Sequence, residues 1–277
     1  MRSRLIIFTL IITIFISKTS LGQNQNDSIV DYSLLMINIC YTNNDLEYIT
    51  ESTEKIPTLF SNISYLHKSG FYTGFGYSSY FSNEIQSQEY DLNGGYQKYF
   101  DNGFDVDLSY NWHKFNGDSL LEGLNYDHSG SMMLGWEIEK FYFSSELLYT
   151  KGKSNNFFFD IGISRYFQIE KLFTKNDLLM ISPTLSVSFG TDNWLYDDMT
   201  YDEKMLTLND LGSAGYSGES FSYEGFDIFI PISYGIKNTF FTFSWLYKIP
   251  GNKYEYLGWQ KQSGIMFSLT YFLEFKK

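Results

Sequence analysis

The sequence predicts an all-β chain, a transmembrane antiparallel up-and-down β-barrel of about 12 strands, with short turns at one end and longer loops at the other. Three observations predict it. Segments of about ten residues alternate apolar and polar side chains, as a barrel strand must. The clearest sets Phe104, Val106, Leu108, Tyr110 and Trp112 against Asp105, Asp107, Ser109, Asn111 and His113. Alternate residues of a strand lie on opposite faces, so one face is wholly apolar and the other wholly polar. Aromatics make up 20% of the 277 residues, with 24 Tyr and 26 Phe against 4 Pro, a composition suited to ladder-paired strands. The third observation is an export signal at the start. A soluble sheet also alternates, with its apolar side inward. Recurrence of the pattern behind that signal, with large aromatics at the strand ends, puts the apolar face to lipid and the polar face to the lumen. A mean hydropathy of −0.23 fits, because half of each strand then lines a polar interior.

Taken in order, Met1–Gly22 reads as a signal peptide. Arg2 and Arg4 precede the apolar run Leu5–Ile16, and Ser20 and Gly22 are small residues ahead of a cut before Gln23. The run is shorter than the ~20 residues a membrane-spanning helix needs. Residues 23–277 are therefore expected to be one barrel domain.

The first strand is expected over Ile29–Thr42, where Leu35, Ile37, Ile39 and Tyr41 share a face, and the second over Pro57–His67. Lys68-Ser69-Gly70 turns into the third, Phe71–Phe81. The fourth, Glu89–Phe100, meets the fifth, Gly103–His113, at Asp101-Asn102-Gly103; Asn-Gly is a hairpin signal because both central residues accept positive φ. The sixth, Asp127–Glu139, turns at Glu139-Lys140 into the seventh, Phe141–Thr150, and the eighth follows over Asn156–Phe167. The ninth, Leu178–Gly190, carries Pro183, which cannot donate to a ladder and so predicts a bulge or kink. Ser222–Ile236 turns at Lys237-Asn238 into Thr239–Ile249, and Gln262–Phe275 completes the set. Longer polar loops follow the odd strands: Asn43–Lys55, Asn83–Gln88, Lys114–Asn125, Lys151–Asn155, Thr191–Glu219 and Pro250–Lys261. Sorting by length is the habit of outer-membrane barrels. It places the protein in the outer membrane of a Gram-negative bacterium, with both termini periplasmic.

The last strand, Ile265-Met266-Phe267-Ser268-Leu269-Thr270-Tyr271-Phe272-Leu273-Glu274-Phe275, resembles the terminal strand of bacterial outer-membrane proteins, which commonly finish on an aromatic; here Lys276 and Lys277 follow. Taken whole, the mature chain resembles outer-membrane β-barrel proteins of the Bacteroidota type. The resemblance rests on architecture and carries no signature motif and no site residues.

Charge and cysteine content exclude several functions. Removing Arg2, Arg4 and Lys18 with the leader takes the formal net charge from −12 to −15 and leaves Arg165 as the only arginine. Nucleic-acid binding needs clustered Lys and Arg and is excluded. Cys40 is the single cysteine, so neither an intramolecular disulfide nor a cysteine-held metal cluster can form. No cofactor is expected. The expected partners are outer-membrane lipids and small solutes or cations.

By alternation Asp91, Asp105, Asp107, Glu137, Glu146, Asp160, Asp227 and Glu274 point inward, with Lys248 as the main basic counterpart. An acidic wall of this kind favours cations in a pore; such residues are also the ordinary polar filling of a barrel interior. Inward Tyr72, Tyr80, Tyr99, Tyr142, Phe158, Phe229, Phe240 and Phe272 argue the other way, for a bore closed by aromatics. In the loop Thr191–Glu219, Asp192, Asp197, Asp198, Asp202, Glu203, Asp210 and Glu219 lack the fixed spacing of a Ca²⁺ loop and read as a solvated acidic surface. Barrel phospholipases and lipid A deacylases place a serine two residues after a histidine. In His128-Ser129-Gly130-Ser131 that place holds glycine, so catalysis is not expected. Arg165 falls on the lipid register. At the bilayer midplane it would cost ~2–4 kcal/mol, so it is expected near an interface.

Three functions are therefore in play. The first is a passive pore or small-solute transporter with a cation-preferring lumen. The second is a structural or surface-interaction barrel with a plugged lumen, and the third, ranked last, is a lipid-modifying enzyme.

Overall fold

The computed structural model describes residues 33–45, 55–81, 86–117, 126–218 and 221–275. The proposed leader and the start of the first strand lie outside the described residues. Fourteen strand segments make one closed, antiparallel barrel of 12 strands: β1 (Ser33–Thr42), β2 (Thr58–Leu66), β3 (Phe71–Phe81), β4 (Gln86–Tyr99), β5 (Phe104–Gly117), β6 (Tyr126–Ile138), β7 (Phe141–Gly152), β8 (Asn155–Arg165), β9 (Phe167–Glu170), β10 (Asp177–Ile181), β11 (Thr184–Thr191), β12 (Phe221–Ile236), β13 (Thr239–Pro250) and β14 (Gln262–Phe275). Segments β8 and β9 are two parts of one barrel strand, as are β10 and β11. Each strand pairs with its neighbour in sequence, and β1 closes the ring on β14 from Ser33 opposite Phe275 to Thr42 opposite Met266. Closure gives every strand two partners, which is what a β-structure in hydrocarbon requires.

Burial runs opposite to that of a soluble sheet. On β5, Leu108, Tyr110 and Trp112 are 46%, 54% and 39% exposed, whereas Asp105, Asp107, Asn111 and His113 are no more than 3% exposed. The same order holds on β1, where Ile37 and Ile39 are exposed and Asn38 and Cys40 are buried. A large apolar side chain left in water forgoes roughly 1.5–3 kcal/mol. A belt of them is stable only against lipid.

Two joints interrupt the ladder side by side. The eighth strand breaks at Tyr166, and the ninth at Ser182-Pro183. β12 changes partner at the same height: Ile232 faces Ile181 of β10, while Phe229 faces Thr184 of β11. Pro231 of β12 lies in the gap and accepts from the Ser182 N–H at 3.2 Å. The expected kink at Pro183 is present. Its cause is shared, because Pro231, opposite, also lacks an N–H.

Several local expectations are corrected. At Asp101-Asn102-Gly103 only Gly103 has positive φ, at 80°, so the turn is not the two-residue form that needs positive φ twice. The segment Lys151–Asn155, expected as a longer loop, is a tight turn of three residues, Gly152-Lys153-Ser154, because Lys151 and Asn155 already pair. The connection between the eighth and ninth strands is shorter than expected, residues 171–176, because β9 and β10 extend the two strands and pair with each other, β10 also staying paired with β12. The segment Thr191–Glu219 is not an open loop: it holds a 3₁₀ turn (Asn193–Tyr196) and the helix α1 (Tyr201–Ser213). A short helix α2 (Asn252–Tyr256) sits between β13 and β14. Arg165 stands where expected, at the short-turn end of β8 opposite Phe141, with its guanidinium 5.3 Å and 5.0 Å from the Phe141 and Phe167 ring centres.

Candidate functional site

The inward faces of the strands carry both aromatic and charged side chains. Near the short-turn end Met36, Tyr72, Phe240 and Phe272 form a buried cluster, with Leu66, Tyr99 and Met180 packed against it. Tyr72 and Phe240 are each the second residue of their strand, so the cluster lies at the inner mouth. Phe240 and Phe272 meet edge to face, 5.7 Å between centres at 80°, a favoured aromatic geometry. Tyr72 reaches across the wall over Gly95, where a Cβ would lie 2.5 Å from its ring. A glycine there is a space requirement, not a flexibility one.

Tyrosines tie down the carboxylates above this cluster. The Tyr72 hydroxyl donates to Asp107 at 2.7 Å, Tyr142 to Asp105 at 3.0 Å and Tyr166 to Glu137 at 2.5 Å. The first two bonds span from β3 and β7 to β5, two strands away in each case. The break at Tyr166 turns its side chain to Glu137. Of the other inward charges, Asp91 accepts from Asn93 at 3.5 Å and Asp160 from Ser188 at 2.5 Å. Glu146 and Lys248 are buried. Glu146 faces Asp160 in register, and Lys248 faces Asp227. Asp227 and Glu274 are half-buried. Asp105, Asp107, Glu137 and Asp160 are thus each held by a hydroxyl donor.

Toward the long-loop end is a group the sequence does not reveal as one. Tyr80 donates to Glu89 Oε2 at 3.0 Å, and Glu89 Oε1 lies 2.8 Å from His113 Nδ1. His113 Nε2 lies 3.1 Å from Ser129 Oγ, which also accepts from Asn111 Nδ2 at 3.2 Å. His113 and Ser129 are inward by alternation, but only the register of β4, β5 and β6 brings them to Glu89. His128, the histidine the sequence singles out, points outward to the Tyr110 hydroxyl at 2.7 Å.

A cap covers part of the long-loop end. Lys253 of α2 pairs with Asp192, both buried. Trp194 lies 5.4 Å from Trp259, and Trp259 lies 4.6 Å from Tyr254. Lys153 and Ser154 hold Asp198 and Asp197 at 2.5 Å and 2.8 Å. Helix α1 starts in a reciprocal cap: Thr200 Oγ1 accepts from the Glu203 N–H at 3.4 Å, and Glu203 accepts from the Thr200 N–H at 2.8 Å. These bonds hold the Glu203 carboxyl below its ordinary range. Burial pushes Asp197 up, more than its bonds to Ser154 pull it down. Asp192, Asp197, Asp198 and Glu203 are thus spent on separate contacts. No group of three or more His, Cys, Asp or Glu able to hold a metal ion occurs among the described residues, and Glu219 lies outside them.

No family model matches the chain, and no curated protein matches it. Solved structures do. The chain superposes on the KdgM porin with a TM-score of 0.51 at 9% identity, covering 85% of this chain and 98% of that one. It superposes on LpxR from Salmonella typhimurium with a TM-score of 0.53 at 10% identity, covering 87% and 100%. The NanC porin gives 0.48 at 8% identity, covering 86% and 98%. At such identities the likeness is one of fold: the chain is a β-barrel of the outer-membrane type.

Proposed function

We propose that the chain is a surface-interaction barrel of a Gram-negative outer membrane, closed at its periplasmic end and working from its outward-facing end. The carrying observation is the buried Met36–Tyr72–Phe240–Phe272 cluster at the inner mouth, with the tyrosine–carboxylate bonds stacked above it. A packed core of this kind blocks solutes, since closely packed side chains leave few voids larger than a water molecule. Both described chain ends meet at the short-turn end, where Ser33 pairs with Phe275, which supports periplasmic termini. The outward end carries the acidic, aromatic cap of α1 and α2, a surface suited to a partner, while the exposed belt of Phe, Tyr, Leu and Ile takes membrane lipid.

A second reading, a cation-preferring passive pore, is favoured by one observation: Asp91, Asp105, Asp107 and Glu146 are all inside the barrel, in a fold like that of the KdgM porin. Swelling of proteoliposomes in isotonic sugars separates the two readings. Vesicles with the folded wild-type barrel are expected to swell no faster than empty ones. Rapid swelling supports the pore.

A further inference from the structure

We propose that Ser129, His113 and Glu89 form a nucleophilic centre that hydrolyses short-chain acyl esters reaching the outer part of the bore. The three sit on adjacent strands, β6, β5 and β4. Each lies three or four residues from the long-loop end of its strand, a depth of about 10–13 Å at ~3.3 Å per residue. That is on the outward side of the cluster closing the inner mouth.

The polarity of the hydrogen bonds specifies the chemistry. Glu89 accepts from Tyr80 through one oxygen and faces His113 Nδ1 with the other. With Glu89 ionised, its carboxylate only accepts; Nδ1 then carries the hydrogen and Nε2 presents its lone pair to Ser129. Asn111 donates to Ser129 Oγ, which leaves the serine hydrogen directed at Nε2. Tyr126 packs edge-on against the imidazole at 4.8 Å and 77° and fixes its plane. A nucleophile in hydrogen-bond reach of a base, with the base oriented by a third group, is the arrangement that activates a serine.

In the reaction, Ser129 Oγ attacks the ester carbonyl carbon and its proton passes to His113 Nε2. The tetrahedral adduct collapses with cleavage of the ester C–O bond, and the leaving alcohol takes the proton from His113. Water, deprotonated by the same nitrogen, then cleaves the acyl-serine, releasing the acid and restoring Ser129. Asn111 donates to Ser129 Oγ and orients the attacking oxygen. Glu89 and Tyr80 are positioning residues. Below Ser129 the floor is polar: Ser131 and Ser109 share a hydrogen bond of 2.8 Å beside Asn111. A long hydrocarbon chain would strip water from these groups without replacing it, so the acyl group is short.

The test uses the full mature chain, folded in micelles, with diisopropyl fluorophosphate as probe and p-nitrophenyl acetate and decanoate as substrates. The expected result is a diisopropylphosphoryl adduct on Ser129, with loss of fluoride, by mass spectrometry, and faster cleavage of the acetate. Ser129→Ala should abolish both, and His113→Asn should lower the rate by about 10²–10⁴-fold. Glu89→Gln should lower the rate and move the acid limb of the pH–rate profile to lower pH, with partial recovery in Glu89→Asp; a merely structural role would not move that limb. Heat-modifiable migration confirms that each variant is folded. An unmodified Ser129 in a folded wild-type barrel, or hydrolysis that survives Ser129→Ala, overturns the proposal. Faster cleavage of the decanoate overturns the short-chain assignment.

Discussion

Replacing Phe240 by alanine probes the packing proposed to close the inner mouth. Phe240 is 4% exposed, within a cluster that includes Phe272, Tyr72 and Met36. Truncating a buried phenylalanine costs about 3–5 kcal/mol through lost burial and the cavity left behind. Phe272→Ala should cost a similar amount at 8% exposure. Because the two rings meet edge to face at 5.7 Å, the double variant should lose less than the sum of the singles, by about 0.5–1.5 kcal/mol of coupling. The assay is reversible urea unfolding in lipid vesicles, followed by tryptophan fluorescence, with all four proteins of the cycle. A cost below about 1 kcal/mol for Phe240→Ala, typical of an uncrowded site, would refute the packed mouth. Strict additivity would refute the ring contact.

Other predictions follow from the same contacts. Gly95→Ala should displace the Tyr72 ring from Asp107 and destabilise the barrel by about 1–3 kcal/mol, as overpacking does, read as a lower urea midpoint. Lys253→Met removes the cation from a buried ion pair with Asp192, a change that typically costs about 3–5 kcal/mol; the cap should loosen, seen as faster proteolysis between β11 and β12 and altered Trp194–Trp259 emission. Acid should weaken the start of α1. Glu203 is held below its ordinary value of 4.5, so its cap contributes fully above that pH and is lost as pH falls through the lowered folded value. Hydrogen exchange of the first-turn amides of α1 should rise over that window, and Glu203→Gln, which does not titrate, should remove the dependence.

Much of the wall was legible in the sequence because a strand's faces alternate with a period of two. Phe71–Phe81 and Gln262–Phe275 stand at their expected bounds, and Pro183 marked its own kink. What stayed hidden depends on register. Pro231 reads as an ordinary strand residue until β12 is laid beside β10 and β11. The bonds from Tyr72 to Asp107 and from Tyr142 to Asp105 join strands that are not neighbours, so no local pattern announces them. The same holds for Glu89, His113 and Ser129, each an unremarkable inward residue alone. Helix α1 was missed although its signal was present: Thr200 and Glu203 have the spacing of a capping box, and the acidic run around them drew the reading toward open loop.

The central claim is that the bore is closed by side chains at its inner mouth, and single-channel recording in a planar bilayer under a KCl gradient tests it most directly. Folded wild-type protein should pass no discrete current, and Phe240→Ala/Phe272→Ala should open steps whose reversal potential shows cation preference from Asp105 and Asp107. Stable cation-selective steps from the wild type, no larger in the double variant, would contradict the claim and restore the constitutive pore.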